Sequence, residues 1–286
     1  MKKVDKKVSW DTVITPNSST KLRDISEIIK YKDLIALLIK RDFTTYYKQT
    51  ILGPLWYIIQ PLLNTLVFTV IFGNFAKIPT DGVPPFIFYL AGSVVWSYFS
   101  TCVTTTSNVF VTNASLFSKV YFPRLCIPIA NIIFSLMQFL IQFTFFLAFL
   151  TYFIFSGSEI EINFKYIFFT PILIFYLAII SFAVGSFISA LCSKYRDLSL
   201  AIGFGIQLWM FATPIVYPLS VVPENYQFLI SLNPVTFIVE SFRFLYLGSG
   251  TVNLEIFLSS LSSTIIILFL GLYFFKKVEK TFIDTV

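Results

Sequence analysis

Histidine is missing altogether, and Asp, Glu, Lys and Arg together make up only 13% of the 286 residues. Soluble domains carry about a quarter charged residues, so this chain has too little charge to coat a water-facing surface. The missing imidazole removes the commonest general base and metal ligand. Cysteine is scarce too: Cys102, Cys126 and Cys192 fit neither a metal spacing nor a disulfide framework and read as packing thiols. No G-x-x-x-x-G-K-[ST] loop occurs, which excludes ATP hydrolysis by that route in this chain. The first 24 residues are basic but lack an apolar run and a small-residue cleavage site. A polar cytoplasmic tail over residues 1–32 is therefore expected, not a signal peptide.

What the chain has instead is apolar length. Hydrophobic residues account for 56% and aromatic residues for 19%, and a helix needs about 20 apolar residues to cross the hydrocarbon core. Six stretches qualify: 55–75, 86–111, 125–155, 166–191, 198–217 and 256–275. The expected fold is an all-α integral membrane protein, with six transmembrane helices in a domain over residues 53–280 and a short cytoplasmic C-terminus at 281–286. Six crossings put both termini on one side, and the basic residues choose it. With the termini inside, 18 of the 21 Lys and Arg residues are cytoplasmic, leaving Lys77, Lys165 and Arg243 outside. The net charge of +6 then marks topology and contact with membrane lipids, not nucleic acid.

Residues 220–249 break the pattern. Two apolar pieces flank Asn233 and Pro234, each too short to cross, and a Pro after Asn ends one helix and starts the next. Two short re-entrant helices before the last span are expected, with an interfacial loop as the plainer alternative. Glu240 and Arg243 stand at i, i+3, within pairing distance on a helix. Their pairing would make shallow burial tolerable.

No span carries an ionisable residue in its core. Ion-coupled carriers generally need such groups at membrane depth. An intramembrane enzyme needs a nucleophile, an acid–base pair or a metal, and none of these is present, so no catalytic residue, metal ligand or cofactor is expected in this chain. The spans do hold amides, among them Gln60, Asn64 and Gln207, and aromatics that include Trp56, Tyr57, Phe68, Phe72, Trp209, Phe211 and Tyr217. Amides bond sugar hydroxyls and ring faces stack on sugar C–H groups, which suits a polymer sliding past many weak sites. Interfacial belts and interhelical hydrogen bonds account for the same residues without any substrate.

A partner that supplies energy needs a cytoplasmic handle, and two segments offer one. Ile35, Ile39, Phe43 and Tyr47 recur every fourth residue, opposed by Lys40, Arg41 and Lys48. That is an amphipathic helix over 33–52, lying in the headgroup plane, which Gly53 and Pro54 turn into the bilayer. Between the second and third spans, Asn113 or Ser115 can cap a short helix bearing Leu116, Phe117 and Val120, with Lys119 and Arg124 as the loop's charges and Pro123 to end it. A short helix of this kind can seat in a partner's groove.

Taken in order, these pieces resemble a known family, the membrane subunits of type-2 ABC exporters that move O-antigen, capsular or teichoic-acid polysaccharides. The resemblance is carried by Arg41 and Asp42, YKQT at 47–50, LGPLW at 52–56 and Pro61 with Leu62, followed by VYFPR at 120–124, SKYRDL at 193–198, TPIVYP at 213–218 and Asn233 with Pro234. It covers about residues 33–280; Tyr46 stands where the family often has Arg, and the tail before residue 30 exceeds the family core. The resemblance implies an exporter half in a bacterial inner membrane, paired with a second copy as a homodimer. Each copy would bind a separate ATPase subunit that holds ATP and Mg. It also implies that 113–124 couples to that ATPase, that the first and fifth helices line the polysaccharide channel, and that Asn233, Pro234, Glu240 and Arg243 belong to an external gate. An exporter half for a drug or lipid, a membrane-bound sugar-transferring enzyme and a passive channel are the competing expectations.

Overall fold

The computed structural model describes residues 28–48, 53–117, 119–120, 122–195 and 197–281, and among them every regular element is a helix. The tail up to residue 27, the end of the expected interfacial segment at 49–52 and the C-terminus at 282–286 lie outside the described residues. Helix α1 is Lys32–Lys48 and α2 is Trp56–Phe68, opened by a tight turn at Gly53–Leu55. Gly53 takes φ +51°, which glycine adopts at little cost, just before Pro54. A π-helical turn, Thr69–Phe75, prolongs α2, so the first crossing runs Trp56–Phe75. There follow α3 (Pro85–Ser107), the short α4 (Val109–Thr112) and α5 (Ala114–Phe117), α6 (Cys126–Phe155) and α7 (Thr170–Lys194). The chain closes with α8 (Leu198–Phe211), α9 (Glu224–Ser231), α10 (Pro234–Leu247) and α11 (Leu254–Thr281).

Five helices are long and apolar enough to cross a membrane: Trp56–Phe75, Pro85–Ser107, Cys126–Phe155, Phe164–Lys194 and Leu254–Glu279. The expected span at 198–217 is helical only over 14 residues, about 21 Å at 1.5 Å per residue, short of the roughly 30 Å core. Tertiary contacts show how the chain completes the passage. Trp209 meets the Phe99 ring, Ile215 lies against Gly92, and Ser220 Oγ donates to Asp81 just ahead of α3. Residues 209–220 thus run along α3 in the opposite direction from Phe99 to Asp81, and beyond Phe211 that path leaves the α-helix. Pro214 and Pro218 explain the change, because neither ring can join a continuing helical ladder.

Helix α3 is the central post, with α2, α6, α7 and α10 packed around it and buried residues along nearly its whole length. Phe86 near its start stacks on Phe149 and Phe153 near the end of α6. The 76–84 and 156–163 loops therefore lie at one end of the bundle, called here the distal end. Helix α1 and the α5–α6 loop lie at the other, the proximal end, where Leu38, Phe110, Ile127 and Phe275 share a second apolar cluster.

Hydrocarbon tails attract a Leu face as well as a protein does, so helix contacts in lipid depend on close packing of small residues. A Cβ added to Gly185 of α7 would stand 2.6 Å from Thr106 Cβ of α3, and one on Gly271 of α11 would stand 2.5 Å from Ala183 O of α7. Both helix pairs are packed to the backbone at these points. Gly271→Val is expected to cost about 1–3 kcal/mol through overpacking, seen as a lower unfolding temperature of the purified chain. Gly203→Ala on α8, where nothing lies within 4 Å, is the control and should leave that temperature in place.

Candidate transport surface and coupling end

The proximal end joins the two expected handles. The α1 stripe is used against protein: Leu38 is buried, and Ile35 and Ile39 pack into the same cluster as Phe110, Phe117, Phe122 and Phe275. Lys40, Arg41, Phe43 and Lys48 remain on exposed positions of α1, with Arg41 Nε paired to neighbouring Asp42 at 2.7 Å; Tyr47 belongs to the same helix. The helix expected to reach Pro123 stops at Phe117, since α5 has only four residues. Asn113 joins the two short helices: its Nδ2 donates to Val109 O at 3.1 Å, closing α4, and its carbonyl accepts from Leu116 N and Phe117 N of α5, each at 3.0 Å. Ser115, Lys119 and Val120 are exposed, Leu116 is half-buried, and Ser118 and Tyr121 lie outside the described residues.

Beneath this loop sits a contact that sequence reasoning missed. Arg124 is buried; its backbone N–H donates to Glu279 Oε1 at 3.2 Å and its Nη1 to the Glu279 carbonyl, while the guanidinium lies 5.4 Å from the Phe117 ring centre. The end of α11 therefore grips the loop that carries α5. The partners are 155 residues apart, and no local pattern links them.

Of the eight residues expected to line a channel, the structure splits the set. Trp56 and Gln60 lie on an exposed face of α2 together with Asn64, at i, i+4 and i+8, whereas Pro61 and Thr65 are buried on another face. Tyr57 is half-buried. Phe68 meets the Tyr89 ring of α3 at 6.4 Å, and Phe72 lies 5.8 Å from the Phe68 ring; both are partly buried against the core. Trp209 packs edge-on against Phe99 at 5.3 Å, also on α3. Phe99 is ten residues beyond Tyr89, about 15 Å along the helix, so these two ring groups do not meet within one chain. Phe211 is exposed, and Tyr217 Oη donates to its carbonyl at 3.3 Å, covering the open end of α8. Helix α8 buries only Ile202 and Ile206 and exposes Gln207.

At the distal end α9 and α10 form a bent pair, with 105° between them. The chain before α9 bonds the 76–84 loop through Ser220 and Asp81. At the end of α10, Leu245 O accepts from Asn163 N at 3.0 Å and Phe244 O from Asn163 Nδ2 at 2.6 Å. Both loops are distal, so the pair enters and leaves the bundle on the same face. The bend lies deeper: Ser259 Oγ and Ser260 Oγ of α11 donate to Ser231 O and Pro234 O. Pro234 opens α10 at its first position, and Asn233 is the cap, its Oδ1 accepting from Val235 N at 3.2 Å while Nδ2 donates to Thr213 Oγ1 at 2.7 Å.

Glu240 and Arg243 do pair, Oε1 to Nη1 at 3.2 Å, and each is only 1% exposed, enclosed by protein on all sides. The reason lies in the non-helical stretch after α8. Carbonyls that leave a helix inside the bundle need donors, and Arg243 Nη1 and Nη2 donate to Pro214 O and Ile215 O, each at 2.6 Å. Glu240 Oε2 accepts from Thr251 N at 2.9 Å, and the guanidinium lies over the Phe88 ring at 3.7 Å. Gly92 leaves room for it, since a Cβ there would be 3.1 Å from Nη2. Pro214 and Pro218 were the available signal: they mark carbonyls without helical partners, although nothing in sequence names the donor.

Comparison with known proteins agrees with this architecture. Residues 33–247 match the family model described as ABC-2 type transporter. The O-antigen export system permease protein RfbA of Klebsiella pneumoniae is 28% identical over 253 residues, 88% of this chain and 94% of its own. Its counterpart from Myxococcus xanthus is 22% identical over 268 residues, covering 93% and 100%. The polysialic acid transport protein KpsM of Escherichia coli is 24% identical over 257 residues, covering 89% and 96%.

Proposed function

Since the chain belongs to the ABC-2 type transporter family, we propose that it is the membrane subunit of an ATP-driven exporter that moves a lipid-linked polysaccharide across the bacterial inner membrane. The observation that carries the reading is the breadth of the likeness: O-antigen and polysialic acid transport proteins align with it over nearly their whole lengths. The structure adds physical support. Gln60, Asn64 and Gln207 expose amides on α2 and α8 at membrane depth, where lipid offers them no hydrogen-bond partner. A passing chain of sugars, or a second copy across the path, does.

In this reading two copies form one channel between their α2 and α8 faces, with Trp56, Gln60 and Phe211 on the path. A separate ATPase subunit binds ATP and Mg and seats against α5 at the proximal, cytoplasmic end, where both termini also lie. Helix α1 rests in the headgroup layer with Lys40, Arg41 and Lys48 toward anionic lipid. ATP binding moves α5, and the α9–α10 pair with its bend at Asn233 and Pro234 closes the outer mouth. Deleting the gene is expected to leave polymer accumulating inside the cell. Normal export in a deletion strain without a paralogue would sink the assignment. Purified alone, the chain should show no ATPase activity.

A further inference from the structure

Helix α10 turns one face to the protein and the other to an open groove. Val235, Val239, Phe242 and Arg243 point into the bundle, while Phe237, Ser241, Phe244 and Leu245 form one wall of a groove of about 600 Å³. Helix α7 supplies the second wall and α11 the third. A volume of this size is that of a ligand pocket, and nearly every lining side chain is aliphatic or aromatic. Along α7 the groove reaches from Phe169 to Ile179, on the order of 15 Å at 1.5 Å per residue. That is half of a roughly 30 Å hydrocarbon core, the depth of one leaflet.

The lining surface is wholly apolar, and the polar group that bears on a ligand stands at its mouth. Ser241 is 5% exposed, and its hydroxyl is enclosed within the α10 wall and does not open on the groove; a large side chain at this position would fill the groove. At the distal mouth Lys165 is exposed, its ammonium 5.7 Å from the centre of the Tyr166 ring that lines the groove. Glu161 and Glu255 are exposed at the same end. A phosphate, common to all phospholipids, is the group with which this cation can pair.

We propose that this groove holds one acyl chain of a distal-leaflet phospholipid, with its phosphate on Lys165. The chain braces α10 from the side opposite Arg243, so the resting position of the α9–α10 pair depends on a bound lipid. This inference requires only that the chain spans the bilayer and stands apart from the export reading.

The test is native mass spectrometry of the full chain in mild detergent, offered phosphatidylglycerol or a diacylglycerol with the same acyl chains. Wild type is expected to retain one lipid per chain and to prefer the phospholipid. Ser241→Phe, which puts a ring into the groove, should retain neither. Lys165→Gln should bind both lipids alike, at the diacylglycerol level. Retention in a normally melting Ser241→Phe chain equal to wild type overturns the proposal. A phospholipid preference that survives Lys165→Gln also overturns it, and decides alone if Ser241→Phe fails to fold, since Lys165 is exposed. A lipid-free dimer that Ser241→Phe disrupts would show a second copy in the groove, and would overturn it too.

Discussion

Arg243→Ala is expected to lower stability by at least about 3–5 kcal/mol, the cost of breaking a buried pair and stranding its partner, with the cost of two stranded carbonyls added to it. The change leaves the Glu240 carboxylate without its cation and Pro214 O and Ile215 O without donors, all inside the bundle. Arg243→Lys should recover only part, because one ammonium cannot reproduce a planar fork that reaches two carbonyls and a carboxylate while lying on a ring. The double replacement Glu240→Met with Arg243→Met separates the two terms. It removes the charge problem but still strands two carbonyls, at about 1–3 kcal/mol each. Thermal unfolding of the detergent-purified chains gives the order: wild type, double variant, Arg243→Ala. An Arg243→Ala chain that unfolds at the wild-type temperature would refute this account of the end of α8.

Arg124→Met is expected to uncouple transport. Under the proposed function, force applied at α5 reaches the spans partly through the hold of Arg124 on Glu279 at the end of α11. Coupling free energies between sites are typically 1–3 kcal/mol, so a loss of about 5–150-fold in polymer export is expected. Met keeps the apolar contact with Phe117 but cannot donate to the Glu279 carbonyl. The complex with the ATPase should still assemble, and ATP hydrolysis should persist while export falls. Unimpaired export by this variant would mean that the loop transmits by another route.

Span existence was readable because lipid imposes one simple rule: a crossing segment must be apolar and must satisfy its own backbone. Residues 55–75, 125–155 and 256–275 obey it, and α2 with its π turn, α6 and α11 follow within a few residues. The stretch at 198–217 is just as apolar, yet its last third leaves the helix near Pro214 and Pro218, and the freed carbonyls of Pro214 and Ile215 take their donors from Arg243. Periodicity identified the apolar stripe of α1 but could not say what would cover it. A Leu38 side chain is equally at home in lipid and against Phe110 and Phe275, and only packing chose the second.

The same limit divides the candidate site. Trp56, Gln60 and Asn64 could be placed on one face by spacing alone, since a helix puts i, i+4 and i+8 together wherever it points. Whether Phe68, Phe72 and Trp209 share that direction depends on helix rotation, which a uniformly apolar span does not encode; Phe68 and Trp209 each touch a ring of α3. Composition and charge thus settled a membrane-spanning helical chain, because that is a one-dimensional consequence of lipid solvation. The joining of Arg243 to Pro214 and Ile215, and of Arg124 to Glu279, was decided only by the fold: long-range hydrogen bonds pay no attention to sequence separation and leave no periodic trace.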